Sequence, residues 1–227
     1  MTELLESRFF VETDERLEKL IYPLPASWWS RPYEYGWCCS LVQPEDVALD
    51  AACGVPHPFK WMLGRVCRQA HACDWDSRVL SPEAMLEEVA RDIGYEAART
   101  VAAERFIETI CAQADITRLP YKDEMFDKIF CISVLEHLHP ADAGRALEEF
   151  HRTLKPGGLL LLTLDYPTVN LEAFDAAVRQ SGLRFSGPVD YERPENAVHT
   201  ELWGGLSCFR AALSKPQLGS ELGPMSG

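Results

Sequence analysis

The chain has 227 residues, 47% of them apolar, enough for one substantial core with room for a small cap. Its 35 acidic residues outnumber 22 basic ones, and the resulting net charge of −13, with basic residues scattered singly, argues against a nucleic-acid partner. The longest mainly apolar strand, Leu159–Leu164, is far too short to span a membrane, and Met1–Glu18 is acid-rich with none of the marks of a signal peptide.

Eight cysteines fall at 38, 39, 53, 67, 73, 111, 131 and 208 without any CxxC pair. That spacing builds no zinc site and fits buried, reduced thiols in a cytoplasmic protein. No metal is expected.

In chain order, residues 1–40 differ in character from the rest. A charged, helical start leads to Ser27-Trp28-Trp29-Ser30-Arg31-Pro32-Tyr33-Glu34-Tyr35-Gly36-Trp37, an aromatic-rich cap or lid. Strands and helices then alternate through a core domain over 41–214. Val47–Asp50 reads as a strand, Pro58–Val66 as a helix and Gln69–Asp74 as a second strand. Ser81-Pro82-Glu83-Ala84 is a helix start, with a Ser cap, Pro in the first turn and an early acid, leading to about Arg91. A further helix is expected from Tyr95 to Ile110, then strands at Cys111–Asp115 and Lys128–Ser133. The helix Ala141–Thr153 is stopped by Lys155-Pro156-Gly157-Gly158, and Leu159–Leu164 is the fifth strand. The helix Leu171–Ser181 ends at Gly182, with late strands at Leu183–Ser186 and Leu206–Leu213. Residues 215–227, rich in Gly, Ser and Pro, read as a flexible tail.

Alternation of this kind predicts an α/β fold, a three-layer α-β-α sandwich with a seven-stranded, mostly parallel sheet. The late strands have no clear helix between them, so the last strand is expected to be antiparallel.

Ligands of open α/β sheets bind beyond the carboxyl ends of the strands. There the chain places Asp50, Cys53 and Gly54, then Asp74, Trp75 and Asp76, then Asp115 and Ile116. Ser133, Val134, Glu136 and His137 follow the fourth strand, and Asp165 and Tyr166 the fifth. Asp74, on the strand after the glycine turn, suits a ribose diol, because one carboxylate accepts two hydroxyl hydrogen bonds. From Ala52 the chain reads Ala52-Cys53-Gly54-Val55-Pro56-His57, with neither G-x-G-x-x-G nor a phosphate loop. The ligand expected has a ribose and a base but no phosphates.

These segments resemble class I S-adenosylmethionine-dependent methyltransferases. Asp50-Ala51-Ala52-Cys53-Gly54 is similar to the family's D-x-G-C-G motif, and Asp74 matches its ribose acid. Ala114-Asp115-Ile116-Thr117-Arg118-Leu119-Pro120 is similar to its adenine segment. Phe126–Leu138 resembles the fourth-strand motif, and Leu154-Lys155-Pro156-Gly157-Gly158 the turn before the fifth strand. The order from about 47 to 165 is the family's. Ala52 and Pro56 depart from the family's glycines, which implies a wider turn with fewer backbone donors for the cofactor's amino-acid end.

The resemblance implies S-adenosylmethionine as cofactor, with Asp74 on the ribose and Trp75 covering the adenine. Asp115 and Ile116 would form the adenine site, and Gly54 beside Cys53 the close-approach turn. Asp50, Ser133 and Val134 are expected at the methionine end. Arg31 is a candidate clamp for the cofactor's carboxylate, with Tyr33, Tyr35 and the tryptophans walling the sulfonium. His137, Asp165 and Tyr166 are the candidates for contact with the acceptor or for a base; a structural role for His137 stays open. The expected activity is methyl transfer to a small-molecule acceptor, a sugar or secondary metabolite; a protein acceptor remains open, as does the oligomeric state. No N-P-P-[YF] run follows the fourth strand. The altered glycine loop motivates the alternative of a cofactor-binding regulatory or partner protein without transfer activity, and an NAD-dependent oxidoreductase is the third reading.

Overall fold

Apolar strands alternating with amphipathic helices build one mixed sheet in the computed structural model, which describes residues 3–103 and 109–217. The strands are β1 (Arg8–Phe9), β2 (Val47–Ala51), β3 (Gln69–Asp74), β4 (Thr109–Gln113) and β5 (Phe126–Ile132). They continue with β6 (Leu154–Tyr166), β7 (Arg184–Phe185), β8 (His199–Thr200) and β9 (Leu206–Ser214). The helices are α1 (Arg31–Ser40), α2 (Phe59–Val66), α3 (Pro82–Asp92), α4 (Tyr95–Ala103), α5 (Pro140–Thr153) and α6 (Leu171–Ser181).

The main path across the sheet runs β1-β9-β6-β5-β2-β3-β4, with β7 and β8 also paired to β9. Strands β2 to β6 are mutually parallel, and β9 runs antiparallel to β6 over eight residue pairs. All five residues of β2 are buried, as in a strand covered on both faces. Parity sorts the two faces. Leu49, Ile129, Cys131, Leu160 and Leu162 pack with Phe150 of α5 and Phe174 of α6. Ala48, Phe130, Leu161 and Ala212 pack with Tyr35 and Trp37 of α1 and Phe59 of α2. This is the expected three-layer sandwich with an antiparallel last strand.

The strand count differs from the seven expected. Three two-residue strands share the outer edge of β9: β8 at Leu206–Ser207, β1 at Phe209–Arg210 and β7 at Leu213–Ser214. A nine-residue buried strand needs partners along its length, and these short segments supply them in succession.

The charged start is not a helix. Among the described residues of this start, Glu3–Leu5 makes a short 3-10 turn, and the following backbone is drawn into tertiary pairing. Phe10 N donates to Cys208 O at 2.9 Å, and Val198 N donates to Phe10 O at 2.8 Å. Residues 31–40 instead form α1, with Pro32 in its first turn. The expected helix from Tyr95 to Ile110 ends earlier: Thr109 and Ile110 already belong to β4, and residues 104–108 lie outside the described residues. Most of the expected tail, residues 218–227, also lies outside them. Lys215 is still tied to the sheet, its carbonyl accepting from Gly157 N at 2.8 Å.

Candidate active site

Because β2 to β6 are parallel, their carboxyl ends converge on one edge of the sheet, and the loops leaving β2 and β5 face each other there. The loop after β2 is bound tightly to its neighbours. Cys53 N donates to Cys73 O at 2.9 Å, continuing the β2–β3 ladder. Gly54 N donates to Asp74 Oδ2 at 2.8 Å, and Asp76 N to Asp74 Oδ1 at 2.9 Å. The fully buried Lys60 ammonium donates to Gly54 O at 2.6 Å and also to His57 O, and Tyr22 OH donates to Pro56 O.

Gly54 has φ +60°, and a Cβ there would stand 2.5 Å from His57 Cδ2, so both conformation and space demand glycine. Ala52 has φ 55° and Ser133, in the loop after β5, φ 50°. Two non-glycine residues held left-handed on either side of one cleft mark a place where the surroundings over-determine the backbone.

That cleft has an empty volume of about 410 Å³. Arg31, Tyr35, Asp50, Cys53, Gly54, His57, Ser133 and Val134 are among its lining residues. Of the sequence candidates for cofactor binding, six therefore meet here: Arg31, Asp50, Cys53, Gly54, Ser133 and Val134. Asp74 lies beside them through its bond to Gly54 N.

The other three candidates lie at the neighbouring strand ends. Trp75 is 80% exposed, and its carbonyl accepts from Gln113 Nε2 at 3.0 Å. The exposed Asp115 carboxylate accepts from Thr117 N and Oγ1, each at 2.8 Å. Ile116 is buried in the core beside Ala114 and Leu119.

Arg31 reaches the cleft from the first turn of α1. It donates to Ser133 Oγ at 2.8 Å and to Glu34, whose side chain has no exposed surface. Ser133 Oγ in turn donates to Glu34 Oε1 at 2.6 Å, as does Thr163 Oγ1 of β6 at 2.6 Å, and Ser30 Oγ donates to Oε2 at 3.1 Å. Burial works against both charges, but their mutual attraction and these hydroxyl bonds hold Glu34 below the usual carboxylate range and Arg31 firmly protonated.

Asp50 has no such partner. It is 3% exposed, its Oδ2 has no hydrogen-bond partner, and burial, against the pull of Lys60, pushes its carboxyl up to about 7. His57 sits at the mouth, hydrogen-bonded through Nδ1 to Tyr35 OH at 2.9 Å and stacked on Trp28 at 4.4 Å. Burial, with Arg31 and Lys60 nearby, keeps its imidazole neutral.

Arg31 and His57 also line a second chamber with an empty volume of about 1020 Å³. Trp28, Trp29 and Trp203 give it three indoles, and His137 and Asp165 its polar wall. Burial, and then the nearby Glu34 charge, raise the Asp165 carboxyl, whose Oδ1 has no hydrogen-bond partner. Its backbone N donates to Glu136 Oε1 at 3.0 Å, and burial pushes Glu136 up to about 8. His137 is exposed at the chamber edge. Tyr166 is half-buried, its ring edge-on to Phe9 at 5.4 Å, and is not among the chamber's lining residues.

Nothing in the sequence singled out Glu34, Lys60, His57 or Trp203. For Glu34 the i,i+3 spacing from Arg31 was a readable signal; the others are placed by the fold. Among the described residues no group of three or more His, Cys, Asp or Glu is arranged to hold a metal, and no helix is long and apolar enough to cross a membrane.

A mostly parallel sheet with a cleft over the carboxyl ends of β2 and β5 is an arrangement of ligand-binding α/β proteins, and comparison with known proteins narrows the class. The family described as a methyltransferase domain matches residues 49–162, half of the chain, and the chain belongs to that family. It is 30% identical over 115 residues to methyltransferase GfsG of Streptomyces halstedii, covering 50% of this chain and 36% of that one. The chain spans about a third or less of the length of the curated relatives it matches. Among solved structures, the [4+2]-cyclase SpnF is similar, with TM-score 0.61, 15% identity, and coverage of 93% of this chain and 87% of the other. So is an S-adenosylmethionine dependent methyltransferase of Mesorhizobium loti, with TM-score 0.56, 16% identity, and coverage of 82% and 97%. At these identities the structural likeness concerns the fold.

Proposed function

We propose that the chain binds S-adenosylmethionine in the cleft over β2 and β5 and transfers its methyl group to a small molecule seated in the adjoining chamber. One observation carries the reading: a protonated guanidinium, Arg31, and a buried carboxylate with one oxygen unpartnered, Asp50, line the same cleft. That pair fits the carboxylate and ammonium of the cofactor's amino-acid end. Arg31, already fixed by Glu34 and Ser133, would hold the carboxylate, and the free Asp50 Oδ2 the ammonium. Asp74 would take the ribose, with Trp75, Asp115 and Ile116 at the adenine end. The bound cofactor supplies a methyl group activated by a cationic sulfur.

The chain's own residues supply the rest. Tyr35, His57 and Trp28 exclude water from the junction between cleft and chamber. The chamber walls hold the acceptor atom in line with the methyl, and such alignment is worth up to about 7–11 kcal/mol. Asp165 or His137 would take the proton that the acceptor hydroxyl gives up when it accepts the methyl group. Asp165, held by burial above the ordinary carboxylate range, is suited to receive it.

Calorimetry with S-adenosylhomocysteine tests binding, and a donor-consumption assay over an acceptor panel tests transfer. Micromolar binding with turnover supports the proposal; no binding refutes it. Binding without turnover across the panel would favour a silent cofactor-binding protein, a reading favoured by Ala52 and Pro56 in the loop where the family carries glycines.

A further inference from the structure

The chamber beside the cleft has a chemical character of its own. Its apolar surface comes from three indoles, Trp28, Trp29 and Trp203. Trp28 is pinned against His57, whereas Trp203 is 67% exposed and left-handed at φ 53° and ψ 32°. Gly204 and Gly205 follow with φ +89° and +85°, and a Cβ at either would meet nothing within 4 Å. A large indole is thus held at the chamber mouth, its ring largely in water, on a backbone turn that ordinary side chains disfavour.

The polar wall is as informative. The one guanidinium lining the chamber, Arg31, donates through Nη1 to Glu34 and Ser133, and the donor site proposed above gives its remaining donors to the cofactor's carboxylate. His57 is neutral. Apart from Arg31, no Lys or Arg is among the described lining residues. Asp165 lines the chamber, and its Oδ1 is buried without a hydrogen-bond partner. With Arg31 occupied by the donor, a phosphate or carboxylate placed here would meet the Asp165 acid and no further Lys or Arg, so its desolvation would go uncompensated. A flat ring would bury its faces against indoles, and a hydroxyl would donate to the Asp165 carboxylate.

We infer that the chamber takes a neutral, ring-bearing acceptor that presents a hydroxyl to Asp165, and that it rejects phosphorylated and carboxylated acceptors. The inference rests on the donor cleft assigned above for its role in transfer, but its binding chemistry is separately measurable.

The test is calorimetric titration of the full chain with 2-naphthol, 2-methoxynaphthalene and 2-naphthyl phosphate, each with and without saturating S-adenosylhomocysteine. The expected order puts 2-naphthol at least about tenfold tighter than the methyl ether, which lacks the hydrogen, and than the phosphate, which carries the wrong charge. Trp203→Ala should weaken 2-naphthol binding by about tenfold, since an exposed indole can be removed without opening the core. The inference is overturned if the phosphate binds as tightly as 2-naphthol, if Trp203→Ala leaves its affinity unchanged, or if 2-naphthol gives no binding at millimolar concentration. The S-adenosylhomocysteine isotherm reads the donor cleft by itself. Its loss with the naphthol pattern intact would sink the donor assignment and leave the chamber standing; the reverse would sink only the chamber.

Discussion

Arg31 and Glu34 sit one turn apart on α1, and the acid of the pair is wholly buried while its hydrogen bonds reach β6, β9 and the loop after β5. The pair therefore joins the amino-terminal segment to the cleft proposed for the methyl donor. Removing one partner leaves the other as an unpaired buried charge, which costs about 3–5 kcal/mol. Arg31→Ala and Glu34→Ala should each lower the melting temperature sharply as well as abolish donor binding. Arg31→Ala is consequently no clean probe of a carboxylate clamp. The double variant Arg31→Met/Glu34→Leu should recover much of the stability and none of the donor affinity. Thermal denaturation and calorimetry on the three proteins check this; single variants as stable as the parent would refute it.

Asp50 predicts a pH dependence with a definite sign. Its folded carboxyl is raised to about 7 from an ordinary value of 3.8, so between these values the folded state holds a proton that the unfolded state has lost. Stability contributed by Asp50 is complete below about pH 4 and is lost as pH rises through 7. Donor affinity should move the other way, strengthening from pH 6 to 8 as the carboxylate that receives the ammonium ionises. Asp50→Asn should flatten both curves, raise the melting temperature at pH 8 and weaken S-adenosylhomocysteine by about 1–3 kcal/mol. Parallel pH series of melting temperature and affinity, parent against variant, give the answer.

The loop after β2 carries two left-handed residues with opposite prospects. Gly54→Ala places a methyl against the His57 ring and forces an L-residue into the left-handed region. The conformational cost alone is about 1–2 kcal/mol, and donor binding should fall with it. Ala52→Gly relieves a residue already at φ 55°. Its gain is partly offset by the greater freedom of glycine in the unfolded chain, so a stabilisation under about 1 kcal/mol is expected. Urea unfolding of both variants measures the contrast; equal effects of the same sign would refute it.

Asp74 has two duties, because its carboxylate holds Gly54 N and Asp76 N while standing at the expected ribose position. Asp74→Asn keeps an oxygen for one of these amides and should lose about 1–3 kcal/mol of donor affinity with a smaller loss of stability. Adenine alone, which has no ribose, should bind parent and variant equally. Calorimetry with S-adenosylhomocysteine and adenine separates the ribose contact from a general collapse of the loop.

Much of this protein is determined locally and is readable in its sequence. The buried run of β2, the Ser81 cap whose Oγ accepts from Ala84 N, and the Asn170 cap and left-handed Gly182 that bracket α6 each follow from near neighbours. The alternation of these elements sets the parallel sheet, and strand ends set which acids face the ligand. The positions of Asp50, Gly54 and Asp74 at the cleft over β2 and β5 were legible for that reason. The amino-terminal segment was not: its charges suggest a helix, but its backbone bonds go to β9, nearly two hundred residues away. The same distance hides Glu34, whose partners Ser133, Thr163 and Cys208 converge only once α1 lies across the sheet. It also hides the neighbourhood of Trp28 and Trp203. Local propensity and periodicity determine the elements and their order. Only packing decides which buried charges are paired, which acid is left free, and where three indoles meet, because those depend on contacts between residues the chain itself keeps far apart.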